Sequence, residues 1–200
     1  MKRMMILASP ILGLLVISLL GLQTHVAANN VTQEDYTGLL KVLSNSKHTL
    51  SDGIRQVTTS TEVPISAKFE LDDNGKLSLS IYTAEKGLTT DAEHNVLKEF
   101  SGSPEDAQWK PEVEVFKDPE HLKRASEQLT LIALSQMSVL DVIAKAQKQK
   151  KGTVFSVTPV IVGRQPKFKV LVADNGRVRT LSYDAKQYQG AEERQENLIP

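Results

Sequence analysis

Twice along this 200-residue chain the spacing of apolar side chains changes from helical to alternating, and both changes follow the same order of segments. Thr49 stands ahead of Leu50, Ile54 and Val57, and Ser138 stands ahead of Val139, Ile143 and Ala146 at the same offsets. A hydroxyl residue before such a stripe is a helix N-cap, because its oxygen accepts a backbone N–H that the first turn leaves unpaired. Asp52 matches Asp141 in this comparison. An earlier helix is predicted ahead of each. One starts at Thr32 and carries Tyr36, Leu39, Leu40 and Leu43; the other starts at Asp118-Pro119 and carries Leu122, Ala125, Leu129 and Ile132. Proline suits the first helical position, where its missing N–H costs nothing.

Beyond each second helix the period is two. Ile65, Ala67, Phe69 and Leu71 alternate with polar residues, as do Leu77, Leu79 and Ile81; the later half has residues 154–162, then Phe168, Val170 and Val172. Alternation of this kind makes antiparallel hairpins with one wet face. The expected fold class is therefore α+β, with helices packed on antiparallel sheet in two helix-hairpin repeats, residues 29–117 and 118–186.

A visible match between Asp73-Asn74-Gly75 and Asp174-Asn175-Gly176 gives a different register. Asp52 to Asn74 and Asp141 to Gly163 both span 22 residues, so the helices align the Gly75 turn with Gly163. Asn-Gly recurs because tight hairpin turns require positive φ at their central positions. The later half then runs into a third strand, residues 177–183. In the earlier half, Asp91 is expected to cap a short helix bearing Val96, Leu97 and Phe100, with Val113 and Val115 supplying the third strand and Trp109 covering an edge of the core.

The stretch VLVADNGRVRTLSYDAK, with the helix and hairpin before it, resembles the PepSY domain, whose last strand ends in a similar Asp-Ala motif. The likeness covers residues 138–186 best and residues 49–115 as a degenerate copy; Gln187 and Tyr188 depart from the Thr-Gly usual in the family. What the resemblance implies is a helix laid across an antiparallel sheet, in exported or membrane proteins and protease propeptides, acting as a binding or inhibitory module.

Lys2 and Arg3 precede an apolar run from Met4 to Leu22, then Val26-Ala27-Ala28. This is the pattern of a secretory signal, residues 1–28, cut after Ala28, and it predicts a periplasmic or secreted protein that is not membrane-inserted once processed. A retained anchor is the alternative, since the run just reaches bilayer length. The chain has no cysteine, so neither a lipidated thiol nor a disulfide is available, and packing must supply its stability. Zero formal charge hides a split: residues 29–120 carry 9 basic against 17 acidic side chains, and residues 121–200 carry 13 against 7. Attraction between the halves, either within one molecule or head to tail between molecules, is expected to orient them, with the two first helices in contact as the glue. Export removes nucleic acid as a partner for the basic half.

Chemistry-bearing motifs are sparse. Asp91-Ala92-Glu93-His94 and Asp118-Pro119-Glu120-His121 repeat an acidic helix start. A shared metal on Glu93, His94, Glu120 and His121 would make a metal-dependent hydrolase, but a same-face histidine pair is missing. No nucleophile elbow, P-loop or dinucleotide loop occurs. Asp72-Asp73 and Asp174 lack the ligand series of a calcium loop and read as turn residues. Lys145, Lys148, Lys150 and Lys151 read as cations favouring a helix C-terminus, with a site for an anionic surface as the alternative. The tail, residues 187–200, is expected to be disordered. The sequence thus points to a non-catalytic exported module, with no catalytic residue, cofactor or metal, that binds a peptide or protein segment such as an envelope protein or protease. A structural envelope protein is the alternative.

Overall fold

The structure, a computed structural model, describes residues 36–185; the signal sequence, the helix start at Thr32 and the polar tail expected from the sequence lie outside the described residues. The elements are α1 (Thr37–Val42), a 3₁₀ turn (Leu43–Asn45), α2 (Leu50–Val57), β1 (Val63–Leu71), β2 (Leu77–Ala84), β3 (Leu97–Gly102), β4 (Glu112–Val115), α3 (Pro119–Ala133), α4 (Val139–Gln149), β5 (Thr153–Val162), β6 (Gln165–Asp174) and β7 (Arg177–Asp184).

Local chemistry fixes the helix starts. Thr49 Oγ1 accepts from the Asp52 N–H while the Asp52 carboxylate accepts from the Thr49 N–H, and Ser138 and Asp141 repeat the arrangement. These are capping boxes, each satisfying two otherwise unpaired backbone donors. Bonds from the Thr49 backbone and hydroxyl hold Asp52 below the usual carboxylate range, and bonds from the Ser138 hydroxyl and backbone do the same for Asp141. Asp118 caps α3 with Pro119 in its first turn.

Among the described residues the strands form one seven-stranded antiparallel sheet in the order β4-β3-β2-β1-β5-β6-β7. This corrects the expected architecture: the fold is α+β but mostly sheet, and its helices do not pack as two helix-hairpin repeats. The physical reason lies in the middle of the sheet, where β1 pairs with β5 through Ala67↔Val157 and Lys68↔Ser156 and merges the hairpins into one layer. Their apolar residues enter a common core with α1, α2 and α4, including Leu39, Leu50, Ile54, Ile81, Ile143, Val157 and Phe168. One row of facing residues crosses every strand: Val113, Phe100, Ile81, Ala67, Val157, Val170 and Leu181. α2 presses on this face so closely that a Cβ on Gly53 would come within 2.7 Å of Leu79 Cδ2. On the opposite face Gln128 of α3 accepts a hydrogen bond from Ser66 of β1, at 2.8 Å.

Three further expectations are corrected. Leu97 and Phe100, expected on a short helix capped by Asp91, instead lie in β3 against β2, because the preceding loop is tied up by Asn95, which bonds to Gly87 O, Thr90 O and the Lys86 N–H. Val113 and Val115 consequently lie in a fourth strand, at the edge of the sheet, not in the third. The halves meet through β1 and β5, with α2 against α4, rather than through the two first helices. Trp109 is 2% exposed, its indole donating to Gly102 O and its carbonyl accepting from Gln56 of α2.

Candidate functional site

A sheet of seven strands has two outer edges, and here they differ. β4 is four residues long and exposed throughout. β7 is eight residues long and has α4 beside it. Between α4 and β7 runs an open groove of about 570 Å³, lined by Lys145, Lys148 and Gln149 of α4 and Leu181, Ser182 and Tyr183 of β7.

The groove is held in shape by Tyr183. Its hydroxyl donates to Gln149 Oε1 at 2.6 Å, its ring lies 5.2 Å from the Lys145 ammonium, and burial raises its pKa, so it remains a neutral phenol. The strand itself is fixed by a hairpin whose central residues, Asn175 and Gly176, have φ of 50° and 71°. Here the lysines noticed in the sequence as partners of a helix dipole separate in role: Lys145 and Lys148 line the groove, while Lys150 is the C-cap of α4. The sequence placed Leu181 and Tyr183 in a third strand of the later half but carried no sign that this strand lies beside the lysines of α4.

Two smaller hollows flank the short β1–β5 seam. One, about 180 Å³, lies between α3 and the sheet and is lined by Ser66, Lys68, Tyr82, Arg124, Gln128 and Thr158. Within it Ser66 donates to Gln128, and Lys68 is paired with Glu70, which lies outside it. Burial, reinforced by Glu99 and Glu70, raises the Tyr82 pKa strongly, so that phenol is no base at neutral pH. The other, about 270 Å³, is lined largely by Tyr36, Leu39, Phe69, Leu71, Phe155 and Leu171 and carries no acid–base pair beyond Lys68 and Glu70.

Glu93, His94, Glu120 and His121 are not brought together. His94 Nδ1 bonds Asp91 at 2.7 Å and His121 Nδ1 bonds Asp118 at 2.7 Å, so each imidazole serves its own turn. The His121 ring also stacks on Phe116. Among the described residues no three His, Asp or Glu side chains are placed to hold a metal ion. Asp72 is a turn residue, accepting the N–H groups of Asn74 and Lys76. Sequence reasoning missed one buried polar cluster: Glu62, 7% exposed, accepts from Thr83 at 2.6 Å and lies 3.7 Å from the Lys98 ammonium. Burial works against the Lys98 charge, but the bond to Glu85 and the nearby Glu62 outweigh it and leave the pKa raised.

No family model matches the chain, and no curated protein does. Among solved structures, a Clostridium difficile 630 protein described as a "putative lipoprotein" is similar over 71% of this chain and 89% of its own, with 15% identity and a TM-score of 0.34. Among the described residues no helix is long and apolar enough to cross a membrane.

Proposed function

We propose that the protein is a non-catalytic binding module, exported to the cell envelope, that takes an extended acidic peptide or protein segment along β7. One observation carries the reading: β7, the outermost strand on its side of the sheet among the described residues, lies beside a groove whose rim bears Lys145 and Lys148. An extended peptide added to such an edge gains main-chain hydrogen bonds, and alternate side chains enter the groove to give selectivity. Leu181 and the Tyr183 ring offer the apolar floor, and the two ammonium groups favour carboxylates. Export rests on the N-terminal sequence, in which Lys2 and Arg3 precede the apolar run.

The test is binding of a fluorescently labelled peptide of alternating Glu and Val, measured by anisotropy against the same peptide with Lys for Glu. The Glu peptide is expected to bind, to weaken as salt rises, and to lose about tenfold or more in affinity with Lys145→Glu/Lys148→Glu. Equal binding of the Glu and Lys peptides would refute the reading.

A further inference from the structure

The β5–β6 hairpin runs on beyond the ladders that flank it. β5 pairs with β1 only at Ser156 and Val157, and the β6–β7 ladder stops at Lys167↔Asp184, yet β5 and β6 stay paired out to Val162↔Gln165. The last two residues before the turn are Ile161, 67% exposed, and Val162, 51% exposed. A lone exposed aliphatic side chain is ordinary on a protein surface; two in succession at the end of a hairpin are not. Consecutive strand residues point to opposite faces. Ile161 follows Val157, in the row pressed by α2, and Val162 follows Thr158, which lines the hollow beside α3. Neither helix layer reaches far enough to cover them. The α3–α4 connection meets the same end of the sheet, since the Gln136 N–H donates to Ala185 O, the Ala185 N–H donates to Pro166 O, and Pro166 faces Ile161. It brings Leu134, 51% exposed, to that end.

The turn adds charge at the apex. Its central residues are Gly163 and Arg164, with φ of 57° and 67°. Left-handed backbone disfavours a side chain with a Cβ, and the β6–β7 turn meets the same demand with Asn175-Gly176. An arginine here therefore carries a strain that hairpin geometry alone does not require. Lys167 is paired with Asp184, but among the described residues no carboxylate lies within ion-pair distance of Arg164 or of Lys169.

From this we infer that the hairpin tip is a membrane-surface contact, in which Ile161 and Val162 enter the headgroup–acyl boundary of a bilayer while Arg164 and Lys169 meet anionic lipid headgroups. Exposure on both faces selects this partner. A protein surface laid against the hairpin covers one face and leaves the other aliphatic side chain in water, whereas a bilayer interface surrounds the tip. Arginine at the apex suits the same occupant, because its long stem can lie back along the hairpin and hold the guanidinium at the level of the phosphates. Penetration is shallow, about 5 to 10 Å, which is roughly the length of the last two or three residues of each strand. With so few apolar side chains the contact is weak and reversible, and it tightens on anionic lipid and loosens with salt. It uses none of the residues of the α4–β7 groove.

The chain has no cysteine, so an introduced one reports on a single position. Full-length chains with Gln165→Cys at the tip, or with Asn74→Cys in the β1–β2 turn at the opposite end of the sheet, are labelled with an environment-sensitive dye. They are then mixed with vesicles of equal parts phosphatidylglycerol and phosphatidylcholine. The tip label is expected to shift to the blue and to be quenched by nitroxide-bearing lipid, while the Asn74→Cys label does neither. Binding to phosphatidylcholine alone should be about tenfold weaker, and Arg164→Ser/Lys169→Ser should remove that preference. Ile161→Ser/Val162→Ser, which alters only exposed side chains, should weaken the tip response by about tenfold or more. Comparing the two label positions separates the tip from the N-terminal apolar run, which has no reason to immerse one end of the sheet and not the other. Equal response of both labels, or a tip response that survives Ile161→Ser/Val162→Ser, overturns the inference. A tip label that shifts with protein concentration in lipid-free buffer would assign the tip to a second copy of the chain and overturn it as well.

Discussion

Gly152 connects α4 to β5 and offers the sharpest test of how the helix layer is set on the sheet. Its φ is +121°, and a Cβ there would lie 2.3 Å from the Ala173 carbonyl oxygen and 3.0 Å from Val172 Cγ1. The closer contact is with the backbone of β6, which is held by its ladders to β5 and β7 and so cannot move aside. Gly152→Ala therefore combines a backbone strain of about 1 to 3 kcal/mol with an overpacking cost of about 1 to 3 kcal/mol. Gly163 is the control: its φ is +57°, but no atom lies within 4 Å of the Cβ position. Gly163→Ala should cost only about 1 kcal/mol, the left-handed penalty partly offset by the stiffer unfolded chain. That unfolded-state term is common to both variants, so their difference reports the clash together with the extra backbone strain at φ +121°. Urea unfolding followed by the fluorescence of Trp109, the single tryptophan of the chain, reads both midpoints. A Gly152→Ala chain within about 1 kcal/mol of Gly163→Ala would show that α4 and β6 are not locked as described.

Other expectations follow from the caps and the core. Thr49→Ala and Ser138→Ala should each cost about 1 kcal/mol in urea midpoints, and each loss should be largest at neutral pH. The folded pKa of Asp52 and of Asp141 is depressed, so their contribution is complete above the unfolded value of about 4 and disappears as pH falls through the folded value. Asp52→Asn/Asp141→Asn should therefore flatten the acid limb of a stability–pH curve; an unchanged limb would reject the capping account. Trp109→Ala should cost about 3 to 5 kcal/mol by thermal or urea unfolding followed by circular dichroism, because it empties the space beside Gly53 and removes the indole bond to Gly102 O.

Much of the local structure was legible because it is written within a few residues. Thr49 with Asp52, Ser138 with Asp141, and Asp118 with Pro119 mark helix starts through contacts three residues long. The strands of both hairpins were visible in the alternation of Ile65 to Leu71 and of Phe168 to Val172, since a half-buried strand must alternate. β3 was not, because Leu97-Lys98-Glu99-Phe100 has helical as well as strand spacing and the decision comes from β2, more than ten residues earlier. The merging of the hairpins into one sheet was invisible for the same reason: it depends on the facing of Ala67 and Val157, ninety residues apart, which no periodicity encodes. Of the groove, the lysines could be seen, but their meaning could not. Lys145 becomes a rim residue only because β7 ends the sheet beside it, a fact of strand order.

Strand order also changes what the charge split does. Each half of the chain runs outward from the β1–β5 seam, so a separation of charge along the sequence becomes a separation across the sheet, with acidic β4 and basic β7 six inter-strand steps apart. At about 4.8 Å per step that is roughly 29 Å, while the screening length at physiological salt is about 8 Å. Attraction between those edges within one molecule is therefore negligible, and the ions cannot hold the halves together. What does so is apolar: Ala67 against Val157 in the seam and α2 against α4 above it. The same distance leaves the edge charges unneutralised by each other, with Glu112 and Glu114 facing solvent at one end and Lys145 and Lys148 at the other. High salt should accordingly leave the urea midpoint of the chain almost unchanged; a midpoint that falls steeply with salt would mean that the halves are held by charge after all.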